Sequence, residues 1–150
     1  MAKFNAELPL DLIEQFKNLA DGGAEKMLGE MVDAGAEVVE KNIRSNMKNS
    51  FKSTKRLEKC LKRTKVYKTS SDDGVNEKVA FYGYFENENG KTVPAPLVAM
   101  AMEYGTSDRK TDNDANRGRI EKKPFIRKSF NKNQITSAML KVQGKYINNE

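Results

Sequence analysis

Histidine and tryptophan are absent from the 150 residues, proline occurs four times and cysteine once. Without histidine the Ser-His-Asp and Cys-His nucleophilic arrangements cannot be built, and with Cys60 as the sole thiol neither can an ordinary zinc site. A single cysteine also excludes an internal disulfide and suits a reducing compartment. No apolar run approaches the roughly 20 residues that span a bilayer. The opening MAKFNAELPLDLIEQF carries charges throughout and lacks the uninterrupted apolar stretch of a secretory leader. These absences predict an intracellular product with no membrane contact. Carboxylates and lysines remain available for catalysis, but their order singles out no pair. The expectation is therefore no enzyme, no cofactor and no metal.

Charge is what the chain has in quantity. Charged residues make up 32% of it, mean hydropathy is -0.76 and the formal net charge is +6. A hydrophobic fraction of 37% is enough for one modest core, and the length fits a single domain over 1–150. Residues 1–40 hold three basic and nine acidic side chains, net −6; residues 41–68 hold eleven and one, net +10; residues 69–150 hold thirteen and eleven, net +2. The basic block is Lys41, Arg44, Lys48, Lys52, Lys55, Arg56, Lys59, Lys62, Arg63, Lys65 and Lys68. It reads in two ways: as a face turned to solvent or to an acidic surface of another chain, or as a phosphate-neutralising surface for nucleic acid. Only Phe51 precedes Tyr67 among aromatics there, so stacking on single strands is poorly supported.

Hydrophobic periodicity supplies the elements. Leu12, Ile13, Phe16, Leu19 and Ala20 form an apolar stripe after Pro9, and Gly22-Gly23 ends that first helix. From about Ala24 to Asn49 apolar or small residues recur every three to four positions: Met27/Leu28, Met31/Val32, Gly35, Val38/Val39, Asn42/Ile43 and Met47. Ser53-Thr54 is a candidate cap for a short helix carrying Leu57, Cys60 and Leu61. TKVYKTS and EKVAFYGYF then read as two strands joined by a polar turn at Asp72-Asp73-Gly74. The second strand carries apolar bulk on both faces, so it should be covered twice or paired with another subunit. Pro94 and Pro96 introduce a short helix ending at Tyr104, with Gly105 as its left-handed stop. Residues 106–121 form the longest structureless run and are expected to be mobile. PFIRKSF and NQITSAMLKVQGKYI carry a final helical stripe, broken at Asn131–Asn133. The predicted class is α+β: a long N-terminal helix packed on a small antiparallel sheet, with a short helix and a C-terminal helix.

Three motif-like features fail on chemistry. Asp112, Asp114 and Asn116 hold the first, third and fifth places of a calcium loop. Arg117 stands where that loop needs glycine and Lys123 where it needs a bidentate glutamate. FYGYFENENG and EYGTS fit neither glycine-rich phosphate pattern. Cys60, between Leu57 and Leu61, reads as a small buried apolar residue.

The order of elements, with PLVAMAMEYGT followed after a polar loop by KPFIRKSF, resembles the neck and tail-completion (head–tail joining) proteins of long-tailed bacteriophages and prophages. Glu103, Tyr104, Gly105 and Thr106, then Pro124, Phe125, Ile126, Arg127, Lys128, Ser129 and Phe130, carry that resemblance. It implies a virion structural subunit, assembled in the host cytoplasm, in a six-fold homo-oligomeric ring. Such a ring would contact head-completion or connector proteins and tail-tube or terminator proteins, with double-stranded DNA passing through its channel. It also implies that EYGT is a helix stop docked on the PFIRKSF helix, where Tyr104 packs, Gly105 turns and Thr106 bonds locally. The role of the basic block is not part of the resemblance. Its charge suggests that Glu30, Asp33, Glu37 and Glu40 meet Arg44, Lys48, Lys52, Lys55 or Arg56 of an adjacent subunit. The alternative is a small nucleic-acid-binding protein using residues 41–68.

Overall fold

The computed structural model describes residues 14, 17, 19–51, 55–70, 74–87, 89–110 and 112–147. The stripe expected at Leu12, Ile13 and Phe16, the Ser53-Thr54 cap and the Asp72-Asp73 turn lie outside these.

The clearest sequence period gives the longest element, α1, Ala24–Ser50. At 1.5 Å per residue it is about 40 Å long. A π-turn, Leu19–Gly23, precedes it, and Gly22 at φ 93° breaks the axis where the glycine pair predicts a boundary. The predicted stripe is buried only from its second half: Gly35, Val39, Ile43 and Met47 are covered, while Leu28 is 46% exposed. At Gly35 the absence of a side chain lets another helix approach. A Cβ there would stand 3.3 Å from Ile135 Cγ2 and 3.5 Å from Met139 Cγ. Both belong to the last helix, Lys132–Ile147, which runs antiparallel along α1, pairing Asn42 with Gln134 at one end and Glu30 with Tyr146 at the other.

The predicted short helix is one turn, α2, Lys55–Glu58. Leu61, expected on it, instead opens β1, Leu61–Arg63. The sheet is three two-stranded antiparallel ladders. Strand β1 pairs with β4, Val79–Phe81, and β2, Tyr67–Lys68, pairs with β3, Val75–Asn76. The Thr64 N–H to Lys78 carbonyl bond, 2.9 Å, joins these two ladders into one bent hairpin. Gly83, at φ 77°, interrupts the aromatic strand, so EKVAFYGYF becomes β4 and then β5, Tyr84–Glu86, which pairs with β6, Thr92–Pro94. The expected alternation holds, with Phe81 buried and Phe85 half-buried, but the other face is open: Tyr82 is 41% and Tyr84 71% exposed.

Helix α3, Ala95–Tyr104, starts at Pro94 and carries Pro96 in its first turn, where a missing N–H leaves no intrahelical bond unmade. PFIRKSF is not a helix: only Arg127–Ser129 forms a single 3₁₀ turn. The break at Asn131 is therefore a junction between that turn and α4, Lys132–Ile147. Phe130, placed on the apolar stripe by its spacing, is 62% exposed because the turn ends before it.

One aromatic side chain gathers these elements. Phe125 is fully buried and lies edge-on to Phe51, centroids 5.6 Å apart, and to Phe81, 6.1 Å apart. Around it sit Val39, Ile43 and Met47 of α1, Leu57 of α2, Leu61 of β1, and Ala95 and Ala99 of α3. Burying a side chain of this size is worth about 2–3 kcal/mol.

Candidate functional site: the Glu103 clamp and the charged surfaces

The two sequence motifs meet, and Glu103 joins them. Its side chain is buried at the end of α3, yet it is not an orphaned charge. Glu103 Oε2 accepts the N–H groups of Phe125 at 2.7 Å and Ile126 at 2.8 Å, and Oε1 accepts that of Arg127 at 3.1 Å. A carboxylate that accepts three backbone N–H groups caps the turn following Pro124 as an N-cap residue caps a helix. A further polar layer locks the turn to α1. Asn46 Nδ2 donates to Ser129 Oγ at 2.9 Å and to the Phe125 carbonyl at 3.3 Å, and Asn42 Nδ2 donates to the Ser129 carbonyl at 3.1 Å. Ser129 Oγ in turn donates to the Phe125 carbonyl at 2.6 Å. Asn42 and Asn46 sit beside the apolar stripe of α1; their polarity, one turn apart, was a signal that a polar element packs there, and hydrophobic periodicity alone passes over it.

Tyr104 departs from the expectation that it packs. It is 58% exposed, with the Arg127 guanidinium 5.8 Å from its ring centroid. The residue that packs is its neighbour Glu103, because the helix turns that position inward. Gly105 has the expected positive φ, 76°, but with ψ 179° it is mirror-image extended rather than left-handed helical. The chain leaves α3 straight into a pairing with Ile120, so an extended exit is needed. A Cβ on Gly105 would lie 2.9 Å from the Ile120 carbonyl oxygen and 3.0 Å from the Lys122 nitrogen, both backbone atoms. Both the dihedrals and the space thus demand glycine. Thr106 bonds locally, as expected: its N–H donates to the Ile120 carbonyl at 3.0 Å and its Oγ1 accepts from Ile120 N–H at 2.9 Å.

The run read as structureless has paired backbone. Arg109 N–H donates to the Gly118 carbonyl at 3.2 Å, Arg117 N–H to the Arg109 carbonyl at 2.7 Å, and Lys110 bridges Asn116. One of its carboxylates serves the arm itself, Asp114 pairing with Lys110 at 2.9 Å. The reason periodicity missed this irregular hairpin is that its described residues from Ser107 to Arg119 are exposed on both faces.

The basic block divides. Arg44 pairs with Glu40 at 2.7 Å and donates to the carbonyls of Glu58 and Leu61 at 2.9 and 3.1 Å, tying α2 and β1 to α1. Lys48 pairs with Glu58 at 3.3 Å, Lys41 with Glu37 at 2.5 Å and Lys68 with Glu25 at 2.7 Å. Arg63 reaches three carboxylates, Asp33 at 2.8 Å, Glu40 at 3.1 Å and Glu77 at 3.2 Å. Arg56 donates to the carbonyls of Glu86 and Asn87. Lys55, Lys59, Lys62 and Lys65 are exposed, and Lys52 lies outside the described residues. Three of the carboxylates expected to meet an adjacent subunit, Asp33, Glu37 and Glu40, thus have cations within their own. Strand β1 folds back along α1 and carries Arg63 to the acidic half within one subunit.

Glu77 is the weak member of the Arg63 cluster. Its side chain is 1% exposed and Oε2 is buried with no hydrogen-bond partner among the described residues. Burial pushes its carboxyl up from the ordinary range; Arg63 pulls the other way and Asp33 adds to the rise.

A second basic set, which the sequence reading did not single out, lies around residues 122–132. Lys122, Lys123, Arg127, Lys128 and Lys132 are exposed and form no ion pair among the described residues. Lys123 lies over the Phe51 ring, 5.6 Å from its centroid. These cations flank the turn that Glu103 holds. Beside them is a face without charge: Leu97, Met100 and Tyr104 of α3 are 63%, 58% and 58% exposed. Among the described residues, no group of three or more His, Cys, Asp or Glu side chains is arranged to hold a metal ion, and no helix is long and apolar enough to cross a membrane.

The structure is a helix–hairpin scaffold whose shared polar groups fix backbone, with an uncharged helix face left outside. The family comparison names the class. Residues 11–83 match the family model described as "Bacteriophage HK97-gp10, putative tail-component". Over those residues the chain is similar to a family of putative phage tail components, which is consistent with the resemblance to neck and tail-completion proteins. The match spans α1 and the β1–β4 hairpin and ends before the Glu103 and Phe125 motifs. No curated protein and no solved structure matches the chain.

Proposed function

We propose that this protein is a ring-forming structural subunit at the phage head–tail junction, a neck or tail-completion part that joins the tail to the DNA-filled head. The observation that carries this reading is the outer face of α3. Leu97, Met100 and Tyr104 form an exposed stripe on a helix whose only charged residue, Glu103, points inward. In a chain related to tail components, such a face suits contact with a neighbouring subunit or ring. The Glu103 clamp supports the same reading, because its carboxylate is occupied with backbone N–H groups and serves as a strut. Neighbours above and below would be head-connector and tail-tube or terminator proteins, and double-stranded DNA would pass through the channel.

The test is imaging with mass measurement. Light scattering of the protein, alone and with its head-connector and tail-tube neighbours, should give a closed oligomer, expected to be six-fold. Labelled protein should appear at the neck of the particle. A monomer under every condition, or label along the tail shaft or on the capsid, overturns the reading.

A further inference from the structure

Two apolar surfaces in this chain need cover, and their charges are opposite. One is the α3 face, Leu97, Met100 and Tyr104, edged by Arg127 over the Tyr104 ring. The cations of the adjoining turn have no acidic partner among the described residues. The other is a matter of sequence alone: Leu12, Ile13 and Phe16 recur at helical spacing among Glu7, Asp11 and Glu14. A short amphipathic stripe of this kind gains stable helicity by packing its apolar side on a surface.

The geometry points to the N-terminal segment of a second copy of this chain as the occupant of the α3 face. The reason is reach. The Tyr104 end of α3 is fixed at the level of Asn46, through Glu103, the Phe125–Arg127 turn and the Asn46 bonds. The N-terminal segment joins α1 at its other end, Ala24, about 33 Å away along the axis. The spacing of the stripe gathers its apolar residues on one side only in helical form, in which residues 8–20 would span about 20 Å, so a subunit's own stripe would stop short of its own Tyr104. A neighbour's stripe has no such constraint. The contact joins two different patches, so it is head-to-tail and propagates, closing when the rotation closes. The acidic side of the stripe would face Arg127 and the adjoining lysines, which sets its direction on α3. This inference rests on the ring reading and names the surfaces that build it.

The test mixes two full-length variants, one Phe16→Cys and the other Met100→Cys, under mild oxidation; Cys60 is buried and stays out of the reaction. The expected result is a mixed dimer, with a yield that falls roughly fivefold in 1 M salt as the rim charges are screened. In the chain that carries both substitutions, a ladder of covalent oligomers is expected. A fast-migrating monomer with an internal bond, or no bond between the two variants, overturns the inference. Leu97→Asp with Met100→Asp checks it without cysteines: both positions are exposed, so folding should persist while the oligomer is lost. Wild-type mass separates the two ideas. A ring without cross-linking removes the N-terminal docking and leaves the ring; a wild type that is monomeric under every condition, with no cross-link, removes both.

Discussion

Two basic regions of this chain look alike in sequence and differ in use. Residues 41–68 carry the larger charge, yet Arg44, Lys48 and Arg63 spend theirs on Glu40, Glu58, Asp33 and Glu77 and on backbone carbonyls of their own subunit. The smaller set around residues 122–132 forms no ion pair among the described residues, though the backbone beneath it is fixed by three hydrogen bonds to one buried carboxylate. Arg44, Lys48 and Arg63 of the first region act as struts, and the cations of the second are available to a partner. Net charge counted along a chain therefore says little about which charge is free.

That contrast can be broken most sharply at the clamp. Glu103→Ala should strip three N–H groups of their acceptor, two of them in half-buried positions and that of Phe125 buried. The expected loss is about 3–5 kcal/mol in urea unfolding, since buried donors left without partners cost about 1–3 kcal/mol each and some regain water. Glu103→Gln, which keeps one acceptor, should lose about half as much.

Next in size is Arg63→Met. It leaves Asp33, Glu40 and Glu77 without their shared cation and should cost about 2–4 kcal/mol at pH 7. The pH dependence at Glu77 sharpens this. Its folded pKa is raised, so its favourable contribution is full below the ordinary glutamate value of about 4.3 and is lost as pH rises through the folded value. Glu77→Gln should therefore raise the unfolding midpoint at pH 7 and leave it nearly unchanged at pH 4. A Glu77→Gln variant that is less stable at pH 7 than at pH 4, relative to wild type, would mean that its ion pair with Arg63 outweighs burial.

The smallest effect belongs to the free set. Lys128→Glu with Lys132→Glu should shift stability by no more than about 0.5 kcal/mol, because neither exposed side chain has an ion-pair partner among the described residues. The same pair should weaken self-association measured by sedimentation, most clearly at low salt. A large loss of stability from this double variant would erase the distinction between the two regions.

Much of the architecture was legible before any coordinates. The 3.6-residue period marked α1 to within a residue or two, Gly22-Gly23 marked its start, and two prolines preceding an apolar run marked α3. Those signals are local: a helix stripe, a missing N–H and a missing Cβ act on the residues around them. The positive φ of Gly105 was legible for the same reason, and its ψ was not, because the exit direction depends on Ile120, fifteen residues away. The arm at residues 106–120 escaped because pairing between two exposed strands leaves no hydrophobic alternation.

The sequence by itself determined the class, α+β, the long helix and the bent hairpin, and it excluded histidine-dependent chemistry. Only the tertiary structure decided what the charges and the two motifs do. It turned Glu103 inward and Tyr104 outward, laid Arg63 against the acidic half of α1, and left the 122–132 cations without an ion pair among the described residues. The physical reason is range. Backbone preferences and periodicity are settled within a few residues, whereas a carboxylate's role depends on which donors lie within about 3 Å of it, and the fold alone brings Glu103 to Phe125.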